Sequence, residues 1–224
     1  MMSFFETLRQ ETLPEAKSLL TVPQLIDGLA GRISRETYVA YLTEAYHHVK
    51  HTTPLMQAAK ARLGKESQVF LDALDEYIAE EAGHELWILD DIRACGADAD
   101  AAARSTPRLA TEVMVAFAYD YINRINPLGF FGMVYVLEST SVMLAAAGAG
   151  AVQTSLGLPP TAFRYLTSHG ALDQEHMKFF ENLMAQVDRQ EDRDAILHVA
   201  KRMFVLFGDV FRSIPHQREA AHAA

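Results

Sequence analysis

The sequence predicts an all-α protein. Apolar residues recur with a period of about 3.6 along nearly the whole chain, and the period-2 alternation typical of strands is nearly absent. Glycine and proline fall where such helices would end. With 224 residues, half of them hydrophobic, the chain can bury a sizeable core. We therefore expect one helical domain over residues 1–224, with a C-terminal tail that frays from about residue 216.

Each expected helix follows from the apolar periodicity and from the residues at its ends. Ser34 is a typical N-cap, Pro54 predicts a bend, and Gly96 is a typical C-terminal glycine. The segment 96–107 is predicted to be a loop. These signals give a bundle of about seven to eight helices: a helix up to about 20, then about 23–29, 35–63, 67–95, 108–124, 128–155, one through 168–176, and 191–213.

Residues 128–152 form a long stretch that is uncharged except for one carboxylate, Glu138. Its length of about 25 residues would span a membrane. It is rich in glycine, alanine, serine and threonine, however, and has no partner segment, so we expect a central buried helix. A buried ionised carboxylate costs several kcal/mol unless it is paired. Glu138 should therefore be a structural buried glutamate, face a distant arginine, be protonated, or bind a metal ion.

Charge and cysteine content exclude several classes of protein. The net charge of −9 disfavours nucleic-acid binding, which depends on cationic contacts to phosphate. The single cysteine, Cys95, allows neither an internal disulfide nor a thiolate cluster. The N-terminus lacks a basic-then-apolar signal pattern. We expect a cytoplasmic protein that does not act at a membrane.

Acidic residues and histidines occur at spacings that suit a metal site. Outside the C-terminal tail, the pattern acid-x-x-His appears at Glu44, Glu81 and Asp173, although chance alone predicts roughly one match. In a helix, His169, Asp173 and His176 would share one narrow stripe, because their spacing is i, i+4, i+7. Carboxylates mixed with imidazoles suit iron or manganese better than zinc. The predicted metal ligands are Glu81, His84, Glu138, His169, Asp173 and His176.

Two positions keep alternative interpretations. Glu44 is either a seventh ligand or a hydrogen-bonding residue of the core. Glu80 competes with Glu81, because a separation of four residues also reaches His84.

The sequence resembles the haem-oxygenase-like di-iron oxidases, the iron-containing redox enzyme branch of the TenA/PqqC-like superfamily. The resemblance covers nearly the whole chain; the His169-x-x-x-Asp173-x-x-His176 motif is its specific part, beside the stretches "EEAGHELWILDDI" and "NPLGFFGMVYVLESTS". It implies the haem-oxygenase-like helical bundle. It also implies two non-haem irons that alternate between Fe(II) and Fe(III), held by the six predicted ligands, with manganese as the alternative metal.

The resemblance further implies an enzyme that activates O2 to oxidise a small organic substrate, either amino-acid-derived or of fatty-acid type. An external electron donor would be a partner, and the fold leads us to expect a homodimer. We expect the substrate beside the central apolar helix, where most apolar side chains nevertheless only fill the core. The candidate pocket residues are Phe130, Phe131, Val134, Met143 and Leu144.

Two other function classes remain open. One is a metal-independent enzyme of TenA or PqqC type, and the other is a small-molecule-binding or regulatory protein of the same fold. The resemblance argues against a thiaminase, whose nucleophilic cysteine should lie near Glu138, whereas Cys95 is elsewhere in the chain. Members that sacrifice a tyrosine typically carry it directly before the glutamate, where this chain has Leu137.

Overall fold

The structure is a computed structural model that describes residues 2–216, without the side chains of residues 170–174. The described residues form α-helices and short 3-10 turns and no β-strand, which confirms the predicted all-α class. The helices are α1 Phe4–Glu11, α2 Leu13–Leu19, α3 Pro23–Leu29, α4 Arg35–Val49, α5 Thr52–Arg62, α6 Gln68–Glu81, α7 His84–Ala94, α8 Ala99–Arg104, α9 Leu109–Arg124, α10 Phe130–Leu156, α11 Arg164–Met184 and α12 Gln190–Ser213.

The prediction of seven to eight helices was too low, because three predicted helices are each broken in two. The first breaks at Thr12, between α1 and α2. The next breaks between α4 and α5, before Pro54 rather than at it. Pro54 then lies in the first turn of α5, where its missing N–H removes no helical hydrogen bond. The third breaks between α6 and α7, where Gly83 adopts a φ of 90°.

The predicted loop at 96–107 was also wrong in part, since it contains α8. The Asp98 side chain accepts a hydrogen bond from the backbone N–H of Ala101 and caps this short helix. The capping signal was present in the sequence but was outweighed by the charged and small residues around it. The expectation of a frayed tail concerns residues 217–224, which lie outside the described residues.

Helix α10 runs through the centre of the bundle and packs against α11, α12 and α3. By length and composition the segment Pro127–Leu156 is apolar enough to cross a membrane, but 56% of its most apolar window is buried. It crosses α12 closely at Gly132, where a Cβ would collide with backbone atoms of Ile196 and Ala200. This contact fixes the part of α10 that carries Glu138.

Helix α11 is attached to α7 at its first residues. Asp91 of α7 is fully buried, and its two carboxylate oxygens accept hydrogen bonds from the backbone N–H groups of Arg164 (3.0 Å) and Tyr165 (2.9 Å). These are orphan donors of a helix N-terminus, which a carboxylate satisfies well. The cap therefore holds His84, on α7, and His169, on α11, at a fixed relative position.

Candidate metal centre and its cavity

Three of the predicted ligands come together at the α6–α7 break. Glu81 is the last residue of α6, His84 is the first residue of α7, and His169 lies on α11. One donor atom from each lies within 4.8 Å of the other two, and His84 Nδ1 is 3.1 Å from Glu81 Oε2. Two ligands each about 2.1 Å from one ion are at most about 4.2 Å apart. A small closure of the side chains would thus bring all three onto one metal ion.

Aromatic neighbours fix the rings of these histidines. The Trp87 ring stacks on His84 with centroids 3.9 Å apart, and the guanidinium of Arg164 lies 4.5 Å from the centroid of Trp87. His169 packs against Tyr165 at 4.7 Å and meets the ring of His84 edge-on at 4.8 Å. The imidazoles are therefore held in place by packing.

A second group of predicted ligands links α10 to α11. His176 Nδ1 is 3.5 Å from Glu138 Oε1, and both residues are buried, with 6% and 8% of their surfaces exposed. The other ring nitrogen, Nε2, is 2.8 Å from Glu80 Oε2. A carboxylate on the far nitrogen is the usual second partner of a metal-binding histidine. The arrangement leaves Nδ1 turned toward Glu138.

Histidines from both groups of predicted ligands affect the pKa of Glu81. Burial raises the pKa of this carboxyl, but a hydrogen bond with His84 and the nearby His169, His84 and His176 outweigh burial, so the pKa is lowered. A carboxyl with a lowered pKa is ionised at neutral pH, the form that binds a cation.

Asp173 and Glu44 are the two remaining candidate ligands. The side chain of Asp173 lies outside the described residues, although its backbone belongs to α11. Glu44 is turned toward the start of α9, where its Oε2 accepts hydrogen bonds from the backbone N–H of Arg108 (3.1 Å) and the hydroxyl of Thr111. This position matches the hydrogen-bonding alternative for Glu44.

Several residues of the site were not predicted from the sequence. Glu80 was considered only as a rival of Glu81 for His84, yet it contacts His176 instead. Trp87, the only tryptophan of the chain, follows His84 by one turn, which was a usable signal. His48, on α4, was not singled out from the sequence. Burial, followed by the nearby His169, His51 and His47, lowers the pKa of His48 to about 4, so this ring is neutral at neutral pH.

A cavity of about 190 Å³ lies beside α10, with Glu81, Glu138 and His169 in its wall. Most of its other lining residues are apolar. Of the predicted pocket residues, Phe130, Val134 and Leu144 line it. Phe131 is fully buried in the core beside Phe70, and Met143 is 51% exposed. Successive helical residues point about 100° apart, so a continuous run such as Phe130–Phe131 cannot all face one cavity.

Comparison with known proteins identifies the family. Residues 39–208 match the model of the iron-containing redox enzymes, so the chain belongs to that family. This confirms the resemblance read from the sequence. The matched residues include all the predicted ligands. Comparison with curated proteins gives no match.

Solved structures agree on the fold. A domain of unknown function with a heme oxygenase-like fold from Shewanella denitrificans is 27% identical, with a TM-score of 0.83, and the match covers 93% of this chain and 90% of that one. A TenA homologue from Pseudomonas syringae is 9% identical (TM-score 0.79; 93% and 91% covered). A heme oxygenase from Leptospira interrogans is 18% identical (TM-score 0.71; 95% and 100% covered). The predicted haem-oxygenase-like architecture is thus confirmed.

Proposed function

We propose that the protein is a non-haem di-iron oxidase or oxygenase that uses O2 to oxidise a mostly apolar small molecule. The observation that carries the proposal is the convergence of Glu81, His84 and His169 in the wall of an apolar cavity. The adjacent pair Glu138 and His176 supports a second metal position. Membership of the iron-containing redox enzyme family supports iron as the metal.

The donor set fits the proposed metal. Glu81, His84 and His169 would hold one ion, and Glu138 and His176 would hold the other, with Asp173 assigned from the sequence motif. Oxygen and imidazole donors without thiolate favour iron, and manganese is the alternative. When bound, the iron pair supplies electrons and coordination positions for O2.

The chain's own residues would hold the metal ions, orient the histidine ligands and exclude water from the site. Glu80 orients His176, Trp87 orients His84, and apolar side chains keep water away from the buried acids. No lysine or arginine is among the described residues that line the cavity. Because most lining residues are apolar, the cavity favours the long apolar chain of a fatty-acid-type substrate over a more polar amino-acid-derived one, with the carboxylate placed at the metal ions rather than among the apolar side chains. An external electron donor, a homodimer and a cytoplasmic location belong to the same proposal.

Anaerobic titration of the metal-stripped protein with Fe(II) tests the proposal. We expect two irons per chain, and O2 consumption when the loaded protein meets a substrate. His84→Ala should lower the iron content, whereas His198→Ala, which changes an exposed histidine on α12, should leave it unchanged. Equal iron content in wild type and His84→Ala would contradict the proposal. Turnover in a strong chelator would instead support a metal-independent enzyme.

A further inference from the structure

One histidine of the cavity wall belongs to neither group of predicted ligands. His48, on α4, is 4% exposed and lines the cavity. Its ring meets Phe207 of α12 edge-on, with centroids 5.9 Å apart. It thus lies on the side of the cavity formed by α4 and α12, in an apolar environment.

The hydrogen-bonding capacity of His48 is not used within the described residues. Its Nδ1 is buried and has no hydrogen-bond partner among them. A neutral imidazole carries one donor and one acceptor nitrogen. Because an orphaned buried N–H is rarer in proteins than an under-satisfied acceptor, the proton is better placed on Nε2. Nε2–H is then the donor that is left for a ligand.

Two hydroxyl groups on the α10 side of the cavity show the same feature. Thr140 is 5% exposed, and neither its Oγ1 nor the Oγ of Ser141 has a hydrogen-bond partner among the described residues. Both residues line the cavity. Unsatisfied buried polar groups are uncommon in native proteins, and several in one cavity indicate a polar ligand atom.

The charged residues in the cavity wall limit the charge that this polar ligand group can carry. The ionisable acids in the wall are Glu81 and Glu138, and no lysine or arginine is among the described lining residues. A carboxylate or phosphate near His48 would be buried without a counterion, which is unfavourable. An uncharged oxygen meets the requirement at little cost.

We propose that the cavity binds a predominantly apolar molecule with a carbonyl or hydroxyl oxygen, and that His48 determines specificity by donating a hydrogen bond to that oxygen. The inference rests on the proposed function only in treating this cavity as the substrate site. Other atoms of the same molecule would lie nearer to the predicted metal ligands.

The test compares two probes of the same length, 2-nonanone and 1-nonene. The affinity of each compound is measured by its displacement of the fluorescent apolar dye N-phenyl-1-naphthylamine from the protein. The measurement is made on the protein as isolated and again after anaerobic loading with Fe(II). We call the ratio of ketone to alkene affinity the ketone preference, and we expect it to be about three- to tenfold higher in wild type than in His48→Phe, the range expected of one net hydrogen bond. His48→Phe keeps an aromatic ring against Phe207.

Two further variants keep the test decisive. His48→Gln retains an N–H donor and should keep part of the preference, even if His48→Phe folds poorly. His51→Phe is the matched control, because His51 lies on the neighbouring turn, near Tyr119 rather than in the cavity wall, and should keep all of it.

A ketone preference that is unchanged in His48→Phe, or a wild type that binds neither compound, would overturn the inference. Failure to bind iron would count against the proposed di-iron function alone, because the ketone preference is measured independently of iron content.

Discussion

Glu80 and His176 are joined by a 2.8 Å hydrogen bond between α6 and α11. The bond engages Nε2 of the imidazole and leaves Nδ1 3.5 Å from Glu138. Glu80 is half exposed, whereas His176 is buried. A carboxylate at the surface therefore sets the orientation of a buried predicted ligand, which is how histidines are commonly fixed at metal sites.

Replacing Glu80 should weaken metal binding without removing a ligand. We expect Glu80→Ala to lower the affinity for Fe(II) by about 10- to 100-fold, because His176 loses its orienting partner. Equilibrium titration against a competing chelator measures the affinity. Glu76→Ala, an exposed change on the same helix, serves as the control and should have little effect. Unchanged affinity in Glu80→Ala would show that the bond has no such role.

The left-handed glycine between α6 and α7 should be needed for the site. Gly83 has a φ of 90°, and a side chain there meets no atom but strains the backbone. We expect Gly83→Ala to lower the free energy of unfolding by about 1–2 kcal/mol and to weaken iron binding, since Glu81 and His84 lie on either side of it. Gly96→Ala has the same kind of strain (φ 77°) at the far end of α7 and should lower stability alone. Equal iron affinities in both variants would contradict this prediction.

Glu44 should contribute to stability and not to iron content. Glu44→Ala removes the acceptor of the Arg108 N–H and the Thr111 hydroxyl, and we expect a loss of about 1–3 kcal/mol in the free energy of unfolding. Chemical denaturation measures the loss, and the iron content of the same folded sample should equal that of wild type. If the folded variant bound less iron, Glu44 would be a seventh ligand after all.

The cap on α11 should make stability depend on pH. Burial raises the pKa of Asp91 to about 6 from an ordinary value of 3.8, although the N–H groups of Tyr165 and Arg164 act in the opposite direction. The folded state thus holds this proton more tightly than the unfolded state. The contribution to stability is complete below about pH 4 and is lost as the pH rises through about 6.

Asp91→Asn cannot titrate and should flatten this part of the stability profile. Denaturation at a series of pH values from 4 to 7 compares the two proteins. A wild-type profile with the same slope as that of the variant would mean that Asp91 titrates normally.

The sequence predicted the helices better than their breaks. Period and capping located α3 and α9 to within a residue, because those signals are local. The break between Glu81 and His84 was not predicted, since a glycine inside a periodic stretch does not by itself end a helix.

The spacing in the sequence predicted that Glu81 and His84 lie close together on one helical face. They do lie close together, but the contact spans the break between α6 and α7. The role of Glu80 was not accessible, because it depends on where α11 packs against α6. His48 became distinguishable from its neighbours only when the cavity was seen. Chemical type and spacing thus identified candidates, and packing assigned them different roles.

The most direct test of a di-iron centre is anomalous X-ray scattering at the iron edge from crystals loaded anaerobically with Fe(II). The proposal predicts two iron peaks per chain, one among Glu81, His84 and His169 and one beside Glu138 and His176. Crystals with ordered side chains at these residues and no iron peak beside them would contradict it.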